Sequence, residues 1–489
     1  MARRTGKSSS IEIAPPPEKK PQTRKTTAGA SRAGKIAAAA QGAPAAAADG
    51  ARGSVRIYRQ GLGDCILVQI KRQGRDDFKL LIDCGVVLGT SDPATCMTRV
   101  VEDIVAVTHG YVDVFAITHE HWDHVSGLLQ APASFAKLKV GEVWLGWTED
   151  PDDPLAQQLK SELGKAEAAL AASGAALQMA GDEATAKMLQ DVAATSFGAA
   201  VVAGATTKAA LEAAKALTPK PPRLCRPSDD PFEIPGADAR IFVLAPPHDP
   251  VLIRKINPSK SNPETYALAM NGAGVLPLGV AAALGLAEDA GDSAPFHPRV
   301  SIPLDSPRLP DFFRENYLAG EAWRRIDADW LAPTADLALA LQSYTNNTSL
   351  VLAMEVGEAG SGDVLLFAAD AQVGNWESWQ DFAWPKTEPK VTGSGLLSKT
   401  IFYKVGHHGS HNATLRQHGL EQMTGLRTAV IPVDEAMAKK KRWGQMPLPL
   451  LIDALNRQIR NGAVLRTDQT PTTPVAGATV SADYFEITF

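Results

Sequence analysis

Residues 118–127 read Thr-His-Glu-His-Trp-Asp-His-Val-Ser-Gly and follow an apolar run, 113–118, that predicts a β-strand. In extended backbone, side chains two residues apart point the same way, so we expect His119 and His121 to converge. The chain must then turn into a helix near Asp123, which brings Asp123 and His124 to a neighbouring point. Four ligand-type side chains within six residues are more than one cation takes from one segment. The stretch therefore predicts two adjacent metal ions, each completed by residues from elsewhere in the chain.

Two later stretches offer such residues. Residues 404–410 read Lys-Val-Gly-His-His-Gly-Ser and follow an apolar strand, which places His407 and His408 at a strand end. Residues 365–370 read Leu-Leu-Phe-Ala-Ala-Asp, a predicted strand that ends in Asp370. A single carboxylate at the end of a strand, opposite a histidine cluster, suits a bridge between two metal ions.

The remaining histidines do not cluster in this way. Six of the ten histidines lie in the windows 119–124 and 407–411. His411 is expected at the rim of a pocket. We expect the other four to be ordinary surface or core residues: His109, His248, His297 and His418. His248, which follows two prolines and precedes an aspartate, is the best of these four as an extra pocket residue.

The rest of the chain alternates short β-type runs with helical stretches. Apolar and β-branched runs separated by turn residues predict strands at 54–58, 65–70, 78–82, 139–145, 240–244, 349–355, 364–368, 400–405 and 427–433. Helical patterns cover about 155–217, 312–326 and 449–458. Strands near both ends with helices between and after them predict an α/β (α+β) protein in which two sheets are flanked by helices.

Composition indicates a globular protein with an unusual first segment. Of the 489 residues, 45% are hydrophobic and 21% charged, which excludes a wholly disordered or fibrous chain. The formal net charge of −5 divides into +7 on residues 1–53 and −12 on the remainder. We therefore predict a disordered basic tail over 1–53, either a solvated linker or an arm that attracts a polyanion. Residues 54–489 are then one domain with insertions at about 150–235 and 249–343.

The cysteines and the hydropathy of the chain indicate where in the cell the protein is expected. The four cysteines show no Cys-x-x-Cys spacing, which argues against a zinc knuckle and a disulfide framework and suggests a reducing compartment. No secretory signal is visible, so we expect a cytoplasmic location. Residues 267–287 carry no charge and approach membrane-spanning length, but Asn271, Pro277 and four glycines favour a buried or loop segment. We expect no membrane span.

The order of these motifs resembles a known superfamily. His-x-His-x-Asp-His after a strand resembles the signature of the metallo-β-lactamase fold. Residues 60–67, 81–85, 346–351 and 404–410, taken in order, resemble the soluble domain of ComEC-type DNA-uptake competence proteins. The resemblance runs from about residue 54 to residue 489 and implies a four-layer αββα sandwich with helical or irregular insertions. The channel segments of that family are absent from this sequence, so we expect a stand-alone version.

The resemblance also implies roles for individual residues. It implies that His119 and His121 hold the first metal ion, that Asp123, His124 and His407 hold the second, and that Asp370 bridges both. Asp83, which ends another apolar strand, would orient a ligand histidine. His408 would ligate in place of His407, donate a proton, or bind phosphoryl oxygens of the substrate.

One departure affects the choice of metal. Where many enzymes of the superfamily place a further histidine, this chain has Asn346 and Asn347, which we expect beside the metal ions. The oxygen-rich ligand set that remains suits Mn²⁺ as well as Zn²⁺.

The function implied is metal-dependent hydrolysis. Two divalent ions would turn a bridging water into hydroxide at neutral pH, with Asp123, Asp370 and His408 as catalytic residues. The resemblance implies a phosphodiesterase or nuclease that acts on DNA or another nucleic acid. Two alternatives stay open. One is a small-molecule hydrolase (a phosphorylcholine-type esterase, a cyclic-nucleotide phosphodiesterase or a lactonase), which the acidic body favours slightly. The other is a non-catalytic scaffold.

Overall fold

The computed structural model describes residues 50–179, 206–259, 264–266, 306–318, 345–441 and 443–489, with Glu183, Ala186, Lys187 and Gln190 as isolated positions. The prediction for 267–287 and nearly all of the predicted tail lie outside these residues. Arg52, at the end of that tail, donates to the carbonyl of Val356 at 2.8 Å and forms an ion pair with Asp363. The chain is therefore anchored to the fold just before residue 54.

The first sheet has eight strands. In chain order they are β1 (Gly53–Tyr58), β2 (Cys65–Ile70), β3 (Phe78–Cys84), β4 (Tyr111–Ala116), β5 (Lys139–Gly146), β6 (Arg223–Cys225), β16 (Ala478–Val480) and β17 (Tyr484–Thr488). Their order across the sheet is β16-β17-β1-β2-β3-β4-β5-β6. The pairings from β16 to β3 are antiparallel, and those from β3 to β6 are parallel.

The second sheet has seven strands. They are β7 (Phe232–Glu233), β8 (Ala239–Ala245), β9 (Val351–Val356), β10 (Asp363–Phe367), β13 (Thr400–Lys404), β14 (Thr428–Ile431) and β15 (Ala463–Arg466). The order is β15-β14-β13-β10-β9-β8-β7, antiparallel from β7 to β10 and parallel from β10 to β15. A small hairpin, β11 (Ala383–Trp384) with β12 (Val391–Thr392), stands apart. Both large sheets thus combine an antiparallel part with a parallel part.

Ten α-helices of four or more residues in the described ranges surround the sheets. They are α1 (Pro93–Thr108), α2 (Trp122–Val125), α3 (Gly127–Gln130), α4 (Pro132–Phe135), α5 (Pro154–Met179), α6 (Thr207–Lys215), α7 (Val373–Ser378), α8 (Gly393–Ser398), α9 (Glu435–Lys440) and α10 (Pro449–Gln458) in the described ranges. Two short helical segments, Asp311–Phe313 and Arg314–Leu318, fall within the predicted helical patch. None of the helices in these ranges is long and apolar enough to cross a bilayer.

Three apolar clusters hold these elements together. One cluster joins the two sheets, with Ile66, Leu80 and Val114 from the first and Leu352, Leu365 and Phe402 from the second. A second cluster packs the first sheet against helices, for example Leu81 and Phe115 against Ile104 and Phe135. A third packs the second sheet against helices, for example Leu366 and Tyr403 against Trp376 and Leu455. Neighbours such as Leu365 and Leu366 enter different clusters because side chains alternate along a strand.

The α/β class with mixed sheets is confirmed, and several predicted bounds match, β2 and α10 among them. Helix α1 was not predicted, although Asp92 accepts a hydrogen bond from Thr95 at its start and Pro93 occupies its first position. The predicted insertion at 150–235 contributes β6 and β7, each of which forms an edge of a large sheet.

Because the two sheets share one core, we expect Leu365→Ala to lower the free energy of unfolding by about 2–5 kcal/mol, since Leu365 is fully buried between them. Urea denaturation measures this directly. Leu450→Ala is the matched control, because Leu450 is 49% exposed and its loss should cost about 0.5 kcal/mol or less. Equal losses for the two variants would contradict the assignment of the shared core.

Candidate metal centre

The candidate site lies where parallel strands of both sheets end. Asp83 lies near the end of β3, and His119 and His121 follow β4. Asp370 follows β10, and His408 follows β13. Parallel strands bring their carboxyl ends to one edge of a sheet, which is where open α/β sheets place ligands. Helix α2 begins at this edge and carries the buried side chains of Asp123 and His124.

Strained backbone is concentrated at the same edge. Six non-glycine residues in the described ranges have positive φ, and four of them belong to the site: Asp83 (54°), Ala369 (48°), His407 (40°) and His408 (52°). This left-handed region is unfavourable for residues with a Cβ atom, so the surrounding structure must hold these turns in place. The consecutive left-handed residues also separate the two histidine rings, whose centroids are 6.1 Å apart.

Two glycines allow the turn before β2 and the end of β3 to approach α2. A Cβ atom on Gly85 would lie 2.5 Å from the carbonyl carbon of Asp123, and one on Gly63 would lie 2.6 Å from its oxygen. Gly63 also has a φ of +145°. The amide of Asp64 donates to the Asp123 carbonyl at 3.1 Å. Glycine is needed here because backbone packs directly on backbone.

Three overlapping groups of buried side chains have the composition of metal sites. The first is Asp123, His124, Asp370 and His408, the second is His119, His121 and Asp370, and the third is Asp64, Asp83 and His124. Within each group one candidate ligand atom per residue lies within 4.8 Å of the others. Asp370 belongs to the first two groups. Its Oδ2 lies 3.3 Å, 3.6 Å and 3.9 Å from the Nε2 atoms of His124, His408 and His119, respectively.

The histidines of these groups are oriented by contacts on their other nitrogen. His124 Nδ1 donates to Asp83 Oδ2 at 2.8 Å, and His408 Nδ1 donates to the carbonyl of Pro432 at 2.7 Å. His119 Nδ1 lies 3.1 Å from the Thr118 hydroxyl. Each ring therefore turns Nε2 towards Asp370, the arrangement by which proteins orient histidine ligands.

The cluster contains buried polar atoms that no protein group satisfies. His121 Nε2, His124 Nε2 and Asp370 Oδ1 have no hydrogen-bond partner among the described residues. Such atoms are unfavourable when buried. The two imidazole nitrogens can each offer a lone pair to a cation, whereas Asp370 Oδ1 faces the ammonium of Lys404 at 3.6 Å. The donor set of imidazole nitrogens and carboxylate oxygens thus fits divalent metal ions.

The electrostatics divide the histidines into two kinds. Burial lowers the pKa of His119 well below its ordinary value and that of His121 to about 4. Burial also acts to lower the pKa of His124, but nearby carboxylates, Asp370 first, raise it well above the ordinary value. The pKa of His408 is raised in the same way, against the effect of burial, chiefly by Asp370.

The pKa of the Asp123 carboxyl is also shifted by these charges. Burial acts to raise the pKa of Asp123, but His124 and His408 bring it to about 2. The raised pKa values of His124 and His408 favour their protonated forms, whose positive charge would offset the buried negative charge. A cation that binds here would take over that role and release protons.

The structure brings together most of the residues that the sequence analysis selected, and it separates the two adjacent histidines. His408, which the sequence analysis gave as the alternative to His407 as a ligand, lies with Asp123, His124 and Asp370. His407 is half-buried and lies outside the three groups, with Nε2 3.1 Å from Asn346 Nδ2. Which of the two histidines joins the group depends on the left-handed backbone at His407 and His408, and the local sequence does not show that conformation.

The asparagine pair has two separate contacts. Asn346 approaches His407, as above, and its buried Oδ1 has no hydrogen-bond partner in the described part of the chain. Asn347 donates to the carbonyl of Lys255 at 2.9 Å and accepts from the amide of Gln372 at 3.1 Å. Asn347 therefore ties the loop before β9 to the chain that follows Asp370.

Two charged residues of the site were not selected from the sequence. Lys404 is fully buried and forms an ion pair with Asp64, which is 1% exposed. The available signals were a lysine at the end of an otherwise apolar strand and an aspartate directly before a buried strand. His248, in contrast, lies outside the cluster, since it contacts Asp153 at 2.9 Å and stacks on Trp147.

Comparison with known proteins gives no match: no protein family, curated protein or solved structure matches this chain. The functional argument therefore depends on the geometry of the site.

If His408 is a metal ligand, His408→Ala should remove one bound cation per chain or weaken its binding about 10-fold or more, because it deletes one of four donors in its group. Mn²⁺ titration followed by elemental analysis measures the stoichiometry. His407→Ala is the matched control and should retain wild-type binding. A loss of binding in His407→Ala alone would assign the ligand role to His407.

Proposed function

We propose that this protein is a di-metal hydrolase of the metallo-β-lactamase fold that cleaves phosphodiesters, with a nucleic acid as its substrate. The observation that carries the proposal is the buried Asp370 carboxylate, which is shared by two groups of histidine and aspartate side chains. A carboxylate shared in this way is the arrangement expected between two adjacent cations.

The architecture supports the proposed fold. Two mixed sheets share an apolar core, and helices pack on the outer side of each. This packing supports the proposed αββα layer order. The His-x-His-x-Asp-His motif and the stretches 81–85, 365–370 and 404–410 lie at strand ends, those of Asp83, His121, Asp370 and His408, and this shared position supports the proposed fold.

The ligand assignment follows the two groups. His119 and His121 would hold one ion, Asp123, His124 and His408 the other, and Asp370 both. Zn²⁺ and Mn²⁺ both suit this mixture of imidazole and carboxylate donors. When bound, such a pair of ions lowers the pKa of a water molecule and offsets negative charge that develops on a phosphoryl group.

The residues of the chain would then have distinct tasks. Asp123 Oδ2, 3.1 Å from His408 Nε2, is a carboxylate oxygen able to accept the proton of the attacking water. His407 is half-buried, whereas the other histidines of the site are at most 6% exposed. We assign His407, with Asn346 beside it, to contact the phosphoryl oxygens of the substrate.

One specific observation favours the alternative of a small-molecule hydrolase. Residues 54–489 carry a formal charge of −12, whereas a groove for nucleic acid usually has positive potential. The basic segment 1–53 is the part of the chain that would supply such attraction. The scaffold alternative is weaker because every ligand that the resemblance implies is present, except the further histidine at whose place Asn346 and Asn347 stand.

The proposal predicts metal-dependent turnover of phosphodiesters. The assay compares plasmid DNA, single-stranded DNA and bis-p-nitrophenyl phosphate with Mn²⁺ and with Zn²⁺. Asp123→Ala should reduce kcat about 100-fold or more, because it removes both a ligand and the proton acceptor. Asp311→Ala is the control, since that side chain is 94% exposed and remote in sequence from every group of the site. Metal binding without turnover of any phosphodiester would refute the phosphodiesterase assignment.

Deletion of residues 1–49 separates the two substrate classes. The deletion removes nine of the ten basic residues of the tail. For a nucleic-acid enzyme, affinity for DNA should fall and its dependence on salt should flatten, while turnover of bis-p-nitrophenyl phosphate stays unchanged. Binding measured by fluorescence anisotropy at several salt concentrations provides the test. Identical affinity and salt dependence with and without the tail would favour the small-molecule class.

A further inference from the structure

Lys404 is a buried lysine with an unusual set of neighbours. It ends β13, which lies between β10 and β14 in the second sheet, and its side chain is fully buried. Its ammonium forms an ion pair with Asp64 and donates to the carbonyl of Ala369 at 2.8 Å. Ala369 is one of the residues in the strained left-handed region and directly precedes Asp370. Lys404 therefore holds the turn from which Asp370 projects.

Asp64 connects this lysine to the first sheet. It directly precedes β2, its amide donates to the carbonyl of Asp123, and its own carbonyl accepts from the amide of Gly85 at 3.0 Å. The Asp64 carboxylate lies 3.9 Å from His124 Nδ1 and 3.8 Å from His408 Nδ1. The pair of Asp64 and Lys404 thus links the two sheets directly beside the candidate metal centre.

The two oxygens of Asp370 have different surroundings. Oδ2 is the oxygen that approaches the histidines of both groups, at 3.3–3.9 Å. Oδ1 lies 3.6 Å from the ammonium of Lys404, too far for a hydrogen bond but close enough for strong attraction. The lysine and the histidines therefore approach opposite oxygens of one carboxylate.

We propose that Lys404, held by Asp64, is a positioning residue that retains Oδ1 of Asp370, so that Oδ2 alone is shared between the two cations. The inference rests on the proposed function and assigns a role to the one buried ammonium in contact with Asp370 among the described residues.

The geometry has a chemical consequence. A carboxylate can bind a cation through one oxygen or through both. If Asp370 were free to use both, it would occupy coordination positions that water and the phosphoryl group need, and a catalytic metal site requires such open positions. Fixing Oδ1 keeps those positions open.

A positioning role for Lys404 predicts a different combination of cation binding and turnover from the one that a purely structural role predicts. The ammonium of Lys404 repels a cation bound beside Asp370, and the carboxylate of Asp64, a member of the third group, attracts it. Removal of both charges together leaves the net charge unchanged, so cation binding should stay close to that of the wild type. Turnover should nevertheless fall, because Asp370 gains a second contact. Loss of a structural support would instead lower stability, cation binding and turnover together.

Lys404→Met alone leaves Asp64 as a buried carboxylate without its cation, which is strongly destabilising. The working variant is therefore the pair Asp64→Asn with Lys404→Met, in which both charges are removed. The matched control is Arg240→Met with Glu355→Gln. Arg240 and Glu355 form a buried ion pair of 2.8 Å between β8 and β9, and neither belongs to a candidate metal group.

The experiment measures Mn²⁺ affinity, the visible spectrum of the Co²⁺-loaded protein, and turnover of bis-p-nitrophenyl phosphate. For the Asp64/Lys404 pair variant we expect Mn²⁺ affinity within about 3-fold of wild type, kcat lower by about 10- to 100-fold, and weaker Co²⁺ absorption, because a second oxygen raises the coordination number. The control pair should change thermal stability without changing the Co²⁺ spectrum.

Three results would overturn the proposal: wild-type kcat in the Asp64/Lys404 pair variant, an unchanged Co²⁺ spectrum, or a parallel loss of Mn²⁺ affinity and turnover. The Co²⁺ spectrum needs no substrate. If the wild-type protein binds metal but hydrolyses no phosphodiester, the proposed function fails while the spectrum still decides the position of Asp370.

Discussion

Four carboxylates, Asp64, Asp83, Asp123 and Asp370, are buried together at one edge of the two sheets, each at most 4% exposed. Negative charges that lie close together in a poorly solvated site repel one another strongly, so each carboxylate needs a nearby positive charge or a hydrogen bond. The protein does this with the ammonium of Lys404 and with raised pKa values at His124 and His408. The left-handed turns and the glycine contacts serve to hold this arrangement of charges in place.

The site depends on both sheets in equal measure. The first sheet supplies the Asp83 and His119 strand ends, and the second supplies those of Asp370 and His408. The two groups that share Asp370 therefore exist only when the sheets are in register face to face, whereas Asp64, Asp83 and His124 all come from the first sheet. The apolar cluster between them, although remote from the chemistry, sets the distance between Asp370 and the histidines of the first sheet.

Sequence reasoning reached the α/β class, most strand positions and, except for Asp64, the members of the candidate ligand groups, because apolar strands followed by His or Asp leave a strong local pattern. It did not separate His407 from His408, since both follow the same strand and only the backbone turn distinguishes them. It also missed the pairing of Asp64 with Lys404, which are far apart in the chain and meet only when the sheets pack. Helix α1 was not predicted although its capping signals are present. Strands β15 to β17 were not predicted either, because they are short and only partly buried, so their apolar pattern is weak.

The pairing of β1 with β17 has a consequence for synthesis of the protein. Ser54 pairs with Thr488, so β1 finds this neighbour only after all of the chain between these two residues has been made. Contacts so distant in sequence form slowly and leave an unpaired strand edge exposed in the nascent chain. The first sheet, which carries the His-x-His-x-Asp-His segment, is therefore completed only after β17 has been made, and a chain that lacks β17 is a candidate client for chaperones.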